Sequence, residues 1–438
     1  MIVAKFGGSS LADARQIKKV LSIISLDAKR RFIVPSAPGK RFDGDDKVTD
    51  LLLAAYEKAS ANKDFSAPLE ALRFRFLEIM QELSLDPLPL LCTIDALKQA
   101  LQEGTTRDFV ASRGEYLCGL VLSQALGYPL VDAAKVIRFH KDGQPDAEET
   151  NRLLSLSLSS LDSAVIPGFY GADESGKIHV FSRGGSDVTG ALVARALNAD
   201  VYENWTDVCG FRSADPRIVP DASFIRDMTY RELRELSYMG ATVLHEDAVF
   251  PVRTAGIPTR VLNTNSPSHP GTMIHGSPLL AGQGPVVTGI AGRKGFTAVT
   301  LEKDRMNAQV GFARKVLQVF EDYGLCFEHL PTGIDNLCVI LPTDPFAAKR
   351  QEVLERITKE TSPDRLVVQD HLAMLAIVGN GMSRQLGIAA RLFTAIAEQG
   401  ISVQTMLMAP SELSILIGIR EDDLAGAVTA LYDTFIRT

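Results

Sequence analysis

Lys5 closes a short apolar run, MIVAKF, and two glycines and two serines follow it. That order can deliver a cation, backbone N–H groups and hydroxyls to a phosphate, or it can be a strand running into a turn. Other segments share the pattern. SRGGSD (Ser182 to Asp187) follows the apolar KIHVF and opens VTGALVARAL. A glycine pair at such a strand-to-helix turn lets a phosphate approach the backbone, and the helix N-terminus adds free N–H groups. Arg183 offers a planar donor fork for carboxylate or phosphate. Asp187 fits a helix cap as well as a site. TDVCGFRSADPR (Thr206 to Arg217) follows VYENW. Thr206 and Asp207 suit hydrogen bonds to a base or ribose and Arg217 suits phosphates, and a solvated loop is the competing reading. SAPGKRFDGDDKVTDLLL begins as a small-residue loop with a lysine and reaches Thr49 and Asp50, where a plain helix start competes. In SRGEYL, Glu115 stands at the start of an apolar helix, ordinarily a matter of helix electrostatics alone. No Walker-type lysine spacing, G-x-G-x-x-G or protein-kinase signature is present. Several glycine-rich, cation-bearing strand ends together point to phosphoryl transfer onto a small molecule.

The elements that must position these residues alternate strand-like with helical runs: MIVAKF, ARQIKKVLSIISLDA and RFIVPSA, then AVIPGFYG, KIHVFS, DVTGALVARALNAD and VYENW. The alternation predicts a mainly parallel α/β sheet covered on both faces, with ligands beyond the carboxyl ends of its strands. The Gly-, Pro-, Ser- and Asn-rich stretch from Asn263 to Pro285 predicts the close of a first domain, 1–285, and a linker. A chain of 438 residues has room for about two to four domains. Its net charge of −7 argues against nucleic acid as a partner, because phosphate backbones select basic proteins. Cys92, Cys118, Cys209, Cys326 and Cys338 are scattered, with no CxxC pair, and the histidines lack ligand spacing. Reduced thiols, a cytoplasmic location and no protein-built metal site are the expectations. No run approaches the roughly 20 apolar residues of a membrane span, and no signal peptide is recognisable.

The C-terminal part repeats itself. MNAQVGFARKVLQVFEDYGLCFEHL, from Met306, overlays MSRQLGIAARLFTAIAEQGISVQTM, from Met382, without a gap. Apolar strands flank each copy: FTAVTLE and NLCVILP for the first, LAMLAIVG and LSILIGI for the second. Phe312, Val316, Val319, Phe320 and Tyr323 share one helix face, the spacing of a helix packed on a sheet. Each copy reads as a ferredoxin-like βαββαβ unit, the first over 296–371 and the second over 372–438, the latter open to completion by the strand near 296–302.

The whole chain resembles the aspartate kinases of the amino-acid kinase superfamily. KFGGSS is similar to that family's opening KFGGTS, SRGGSD to its GRGGSD, DVCGFRSADPR to its DVxGxYTADPR, and GATVLHEDAV to its GAKVLHP segment. The repeat resembles a pair of ACT domains. The resemblance implies a three-layer α/β/α kinase domain that transfers the γ-phosphoryl of ATP, with Mg²⁺, to the β-carboxylate of L-aspartate. This is the first step towards lysine, threonine and methionine. It implies that Lys5 neutralises charge on the transferring phosphoryl, with Gly7, Gly8 and Ser9 as donors, and that Asp187 sits at the reacting centre. Thr49, Glu115, Arg183 and Ser186 would bind aspartate, Glu115 its ammonium and Arg183 a carboxylate. Thr206, Asp207, Arg212 and Arg217 would hold the nucleotide. Arg212 stands where the family often has tyrosine, Thr242 where it has lysine, and Glu246 where it has proline.

The ACT pair implies feedback by an end-product amino acid, lysine or threonine. Matching effector positions are Met306, Gln309, Gly311 and Phe312, with Glu328, His329 and Asp335; Phe312 reads better as core, while Met306 reads equally as core and Asp335 equally as a surface charge. Glu328 or Asp335 could pair with a lysine ammonium, and MAPSELS lacks the glutamine often found in threonine-binding copies, which favours lysine. A homodimer or homotetramer through the ACT domains is the implied assembly. Another acid or nucleotide kinase of the superfamily, or an inactive amino-acid sensor, is the alternative.

Overall fold

The structure, a computed structural model, describes the chain except for residues 183, 242, 243, 245, 277–283, 409–412 and 438. Contacts divide it into two compact units. One comprises 1–211, 224–233 and 242–278, the other 212–223, 234–241 and 279–438. The single boundary read at 285 is thus replaced by an interleaved division: two short excursions of the N-terminal part pack with the C-terminal unit.

In the first unit seven strands form one sheet: β1 (Ile2–Phe6), β2 (Arg30–Pro35), β3 (Ala164–Val165), β6 (Val201–Thr206), β7 (Asp227–Thr229), β8 (Thr259–Asn263) and β9 (Thr272–His275). Their order is β3-β2-β1-β6-β8-β9-β7. All pairs are parallel except β8 with β9. A separate hairpin joins β4 (Tyr170–Ala172) to β5 (Ile178–Val180). β1 is buried at every position, as a central strand covered on both faces requires. β9 falls inside the stretch read as a linker. Thr272 places its hydroxyl between the Phe211 N–H and the Ile225 carbonyl, so a polar segment is stitched into the sheet edge by hydrogen bonds rather than by apolar burial.

Two helices carry residues singled out in the sequence. Arg107–Leu126 starts at Thr106, whose hydroxyl accepts from the Phe109 N–H, and ends at Gly127 in the left-handed region. Nearly every side chain from Val110 to Leu122 is buried, the mark of a helix enclosed on all sides. Gly185–Ala196 begins at the second glycine of the pair, with Gly184 as its cap, and buries Ser186, Thr189 and the residues from Gly190 to Ala194.

In the second unit one five-stranded sheet holds both repeats, in the order β11 (Asn336–Pro342), β10 (Gly289–Glu302), β12 (Arg365–Val378), β14 (Ser414–Arg420), β13 (Thr405–Met408). The two successive units read from the sequence are in fact joined through β10 and β12, each 14 residues long. Gly289–Lys294 pairs with Ala373–Val378, and the remainder of β10 with Arg365–Leu372 after a register shift around Gly295, which lies at φ +90°. β11 joins only the C-terminal half of β10, and β14 only the C-terminal half of β12. The repeat helices Phe312–Asp322 and Ile388–Glu398 nonetheless keep separate cores, one around Val316, Phe320 and Val339, the other around Leu392, Ile417 and Leu431. Phe312 is buried in the first of these cores and Met306 packs against it.

Candidate active site

The carboxyl ends of the neighbouring strands β2, β1 and β6 carry three of the loops singled out above, and SRGGSD follows β5 of the separate hairpin. Lys5 is buried near the end of β1, and its ammonium lies 2.5 Å from Oδ1 of Asp187, in the first turn of the Gly185–Ala196 helix. The Gly7 N–H donates to the Trp205 carbonyl at the end of β6, and the Gly39 N–H donates to the Gly8 carbonyl at 2.7 Å. The two loops approach so closely that a Cβ on Gly8 would stand 2.8 Å from the Ala37 carbonyl oxygen. Small residues are therefore a steric requirement here, beside any phosphate contact. Ser9 is half-buried, and Ser10 shares a buried hydrogen bond of 2.7 Å with Thr264.

Glu115 reaches the same place from the Arg107–Leu126 helix. It is buried, and among the described residues its Oε2 has no hydrogen-bond partner. Burial pushes its carboxyl up to about 8, against the N–H of Ala37 and the positive charge of Lys5, which favour ionisation. A buried carboxyl with one oxygen unsatisfied is costly unless something completes it, and a cation would. Thr49 lies half-buried in the first turn of the Val48–Ser60 helix, whose Val48 borders Gly114 beside Glu115. Ser186 is buried against Gly168, where a Cβ would come 2.7 Å from its Oγ. Arg183 and Thr242 lie outside the described residues, as does most of MAPSELS.

Thr206 ends β6 and Asp207 follows it; the Thr206 hydroxyl donates to Asp207 at 3.2 Å, and Asn263 donates to the Asp207 carbonyl. Arg212 and Arg217 belong to the other compact unit. Arg212 donates to the Ala222 carbonyl, and Arg217 pairs with Asp215 at 2.7 Å.

Three features were not anticipated. Phe169 holds φ +78°, rare for a bulky residue, in the turn PGFYG; a Cβ on Gly185 would stand 2.9 Å from its Cα. Arg75 is buried and donates to the carbonyls of Ala12, Gly39 and Asp46, clamping the loop after β2 to the turn after β1. Its only sequence signal is an arginine among the apolar residues of RFRFLEIM. Asn204, inside a run read merely as a strand, contacts Asp187.

Among the effector positions, Gly311 caps its helix at φ +83°, Gln309 is exposed, and Asp335 accepts from the Arg305 N–H at 2.9 Å. His329 is half-buried, its Nε2 without a partner among the described residues. Glu328 is engaged on both oxygens, by Arg293 at 2.8 Å and by the Tyr238 hydroxyl. Burial pushes Glu328 up and Arg293 down, each towards its neutral form.

Residues 1–263 match the amino acid kinase family and 375–435 match an ACT domain. The chain is 36% identical to aspartokinase 3 of Bacillus subtilis, over 99% of this chain and 98% of that protein. It is 28% identical to the lysine-sensitive aspartokinase 3 of Escherichia coli, over 90% of each. It superposes on the crystal structure of Clostridium acetobutylicum aspartate kinase with a TM-score of 0.93, at 42% identity over 99% of this chain and 100% of that one. For E. coli aspartokinase III, solved with aspartate and ADP, the TM-score is 0.76 at 26% identity, covering 99% of each.

Proposed function

The chain belongs to the amino acid kinase family, among its aspartate kinases with an ACT domain, and from that premise we propose how its own residues carry the reaction. An oxygen of the aspartate β-carboxylate attacks the γ-phosphorus of ATP, the bond from that phosphorus to the bridging oxygen breaks, and ADP leaves. No proton need move, because the attacking carboxylate is already ionised near neutral pH. Positioning and charge neutralisation are then the protein's task. Lys5 is the cation at the transferring group, Gly7, Gly8 and Ser9 supply donors, and Asp187 orients Lys5. Glu115 receives the substrate ammonium, with Thr49, Ser186 and Arg183 around the rest of aspartate. Thr206 and Asp207 meet the nucleoside. The observation that carries this reading is the pairing of a buried Lys5–Asp187 contact with a buried carboxyl, Glu115, whose Oε2 lacks a partner among the described residues. Mg²⁺ enters this scheme on the nucleotide phosphates, where it would neutralise charge. Among the described residues no group of three or more His, Cys, Asp or Glu could hold an ion by itself.

The test is a hydroxylamine-trapping assay with Mg·ATP and L-aspartate, with and without lysine and threonine. Aspartyl hydroxamate suppressed by lysine is expected. Product insensitive to both amino acids would remove the feedback assignment, and no product with aspartate would move the substrate. Association through the ACT region is part of the proposal. It is supported by Val310 and Leu386, equivalent residues of the two repeats, which are 100% and 97% exposed. Sedimentation showing only a 47.5 kDa species under assay conditions would sink it.

For lysine to use Glu328, its ε-ammonium must displace Arg293. Desolvation works against both members of that pair, so exchange is cheap. Arg293→Ala should free Oε1 of Glu328, with Tyr238 still on Oε2, and lower the lysine concentration for half-inhibition roughly three- to tenfold, the modest end for a part-exposed charge pair. An unchanged inhibition curve would take Glu328 out of the effector seat.

A further inference from the structure

We infer that Asn204 is a positioning residue for phosphoryl transfer, holding the Asp187 carboxylate in place when Lys5 engages the phosphoryl group. The inference rests on the roles proposed for Lys5 and Asp187.

β1 and β6 are adjacent and parallel, and Lys5 faces Asn204 directly across the pair. Residues level with one another on neighbouring parallel strands project to the same face, here the one covered by the Gly185–Ala196 helix. Asn204 is 3% exposed, and its amide donates to Oδ1 of Asp187 at 2.8 Å. The Lys5 ammonium sits on the same oxygen. Both contacts therefore converge on Oδ1. Two positions earlier on β6, on the same face, the Tyr202 hydroxyl donates to the backbone carbonyl of Asp187 at 3.1 Å. The Tyr202 ring lies against Gly190, where a Cβ would come 2.7 Å from it. β6 thus fixes Asp187 twice, Tyr202 by its main chain and Asn204 by its side chain.

The two partners of Oδ1 differ in mobility. Lysine is a point charge on a flexible four-carbon stem, free to follow developing charge. Asparagine is short, and a buried amide bonded to a carboxylate is pinned. When Lys5 turns part of its attraction to the phosphoryl group, the Asn204 bond persists. Asp187 keeps its rotamer, and Lys5 is drawn back along one defined direction. A hydrogen bond needed only while charge moves acts on turnover rather than on substrate affinity.

The test uses the full chain with Asn204→Leu, which keeps the volume and removes the donor, and Asn204→Asp, which keeps the shape and turns the donor into a like charge. kcat and both KM values are measured well below each variant's unfolding temperature, with Asp187→Asn as control. Asn204→Leu should lower kcat roughly 10- to 100-fold, the range of one charge-assisted hydrogen bond, with KM for ATP and aspartate within about twofold. Asn204→Asp should lose more than Asn204→Leu despite its closer shape, an order that a packing role would reverse. If Asn204→Asp does not fold, the split between kcat and KM in Asn204→Leu decides alone. A kcat near that of the parent in Asn204→Leu, or a loss confined to KM or unfolding temperature, overturns the inference while an inactive Asp187→Asn leaves the site reading standing. An active Asp187→Asn overturns both.

Discussion

Lys5→Ala should lose turnover by a factor of about 10³ or more while the C-terminal unit still binds lysine. Removing one group aimed at developing charge costs on the order of 10²–10³ in kcat, and a cation at a transferring phosphoryl can be worth more. Lys5 is placed for that task by a strand buried on both faces, its side chain only 9% exposed. The same burial complicates the experiment. Asp187, 17% exposed, loses its ion partner in the variant, and stranding one member of a buried pair costs about 3–5 kcal/mol where burial is complete, less here. Lys5→Met keeps much of the stem, and Lys5→Met with Asp187→Asn removes the stranded charge. The double variant should recover unfolding temperature without recovering turnover. Near-normal kcat in Lys5→Met would end the assignment of KFGGSS to the phosphoryl group, whereas lost lysine binding would mean that the damage is global.

Much of the parallel sheet was legible because its strands are short apolar runs ending in glycine-rich turns. MIVAKF and VYENW read as strands from composition alone, and the pairing of their ends follows from parallel order. Lys5, near the end of β1, lies with Asp187 and Glu115, which two helices bring to it. Less legible was whatever depends on contacts between segments far apart in sequence. β9 looks like linker because its Thr272 is held by hydrogen bonds to two distant backbone groups. The repeats read as two separate units because a sequence repeat reports local periodicity. It cannot report that β10 continues past Gly295 to pair with both halves of β12. Arg75 and Asn204 were passed over for the same reason: a polar residue in an apolar run has meaning only through its partner. Glu328 shows the converse, a residue chosen for its charge whose carboxylate proves to be occupied by Arg293 and Tyr238.

Glu115 carries the second large effect, and its sign can be worked out. Burial raises its carboxyl from an ordinary 4.5 to about 8, so the folded chain holds this proton more tightly than the unfolded chain does. A carboxyl raised in this way lowers stability as pH climbs from about 4.5 to 8, and the cost levels off above that. Glu115→Gln removes the titration, so the variant should unfold at a higher temperature than the parent at pH 8 and show little gain at pH 5. Substrate binding runs the other way. An ammonium seated on Glu115 requires the carboxylate, so below pH 8 aspartate must displace a proton. KM for aspartate should therefore fall as pH rises from 6 to 8, by up to tenfold per unit, and flatten beyond. Lys5 is the charged group facing Glu115 among the described residues, and its positive charge works against the upward shift from burial without reversing it. In Glu115→Gln the slope should vanish. KM at pH 8 should rise roughly 10- to 150-fold, the worth of one hydrogen bond between charged groups, with kcat changed far less. A flat KM profile in the parent would mean that Glu115 is already ionised or does not meet the ammonium. A profile unchanged by Glu115→Gln would assign the titration to another group and leave the unsatisfied oxygen of Glu115 with no role in binding aspartate.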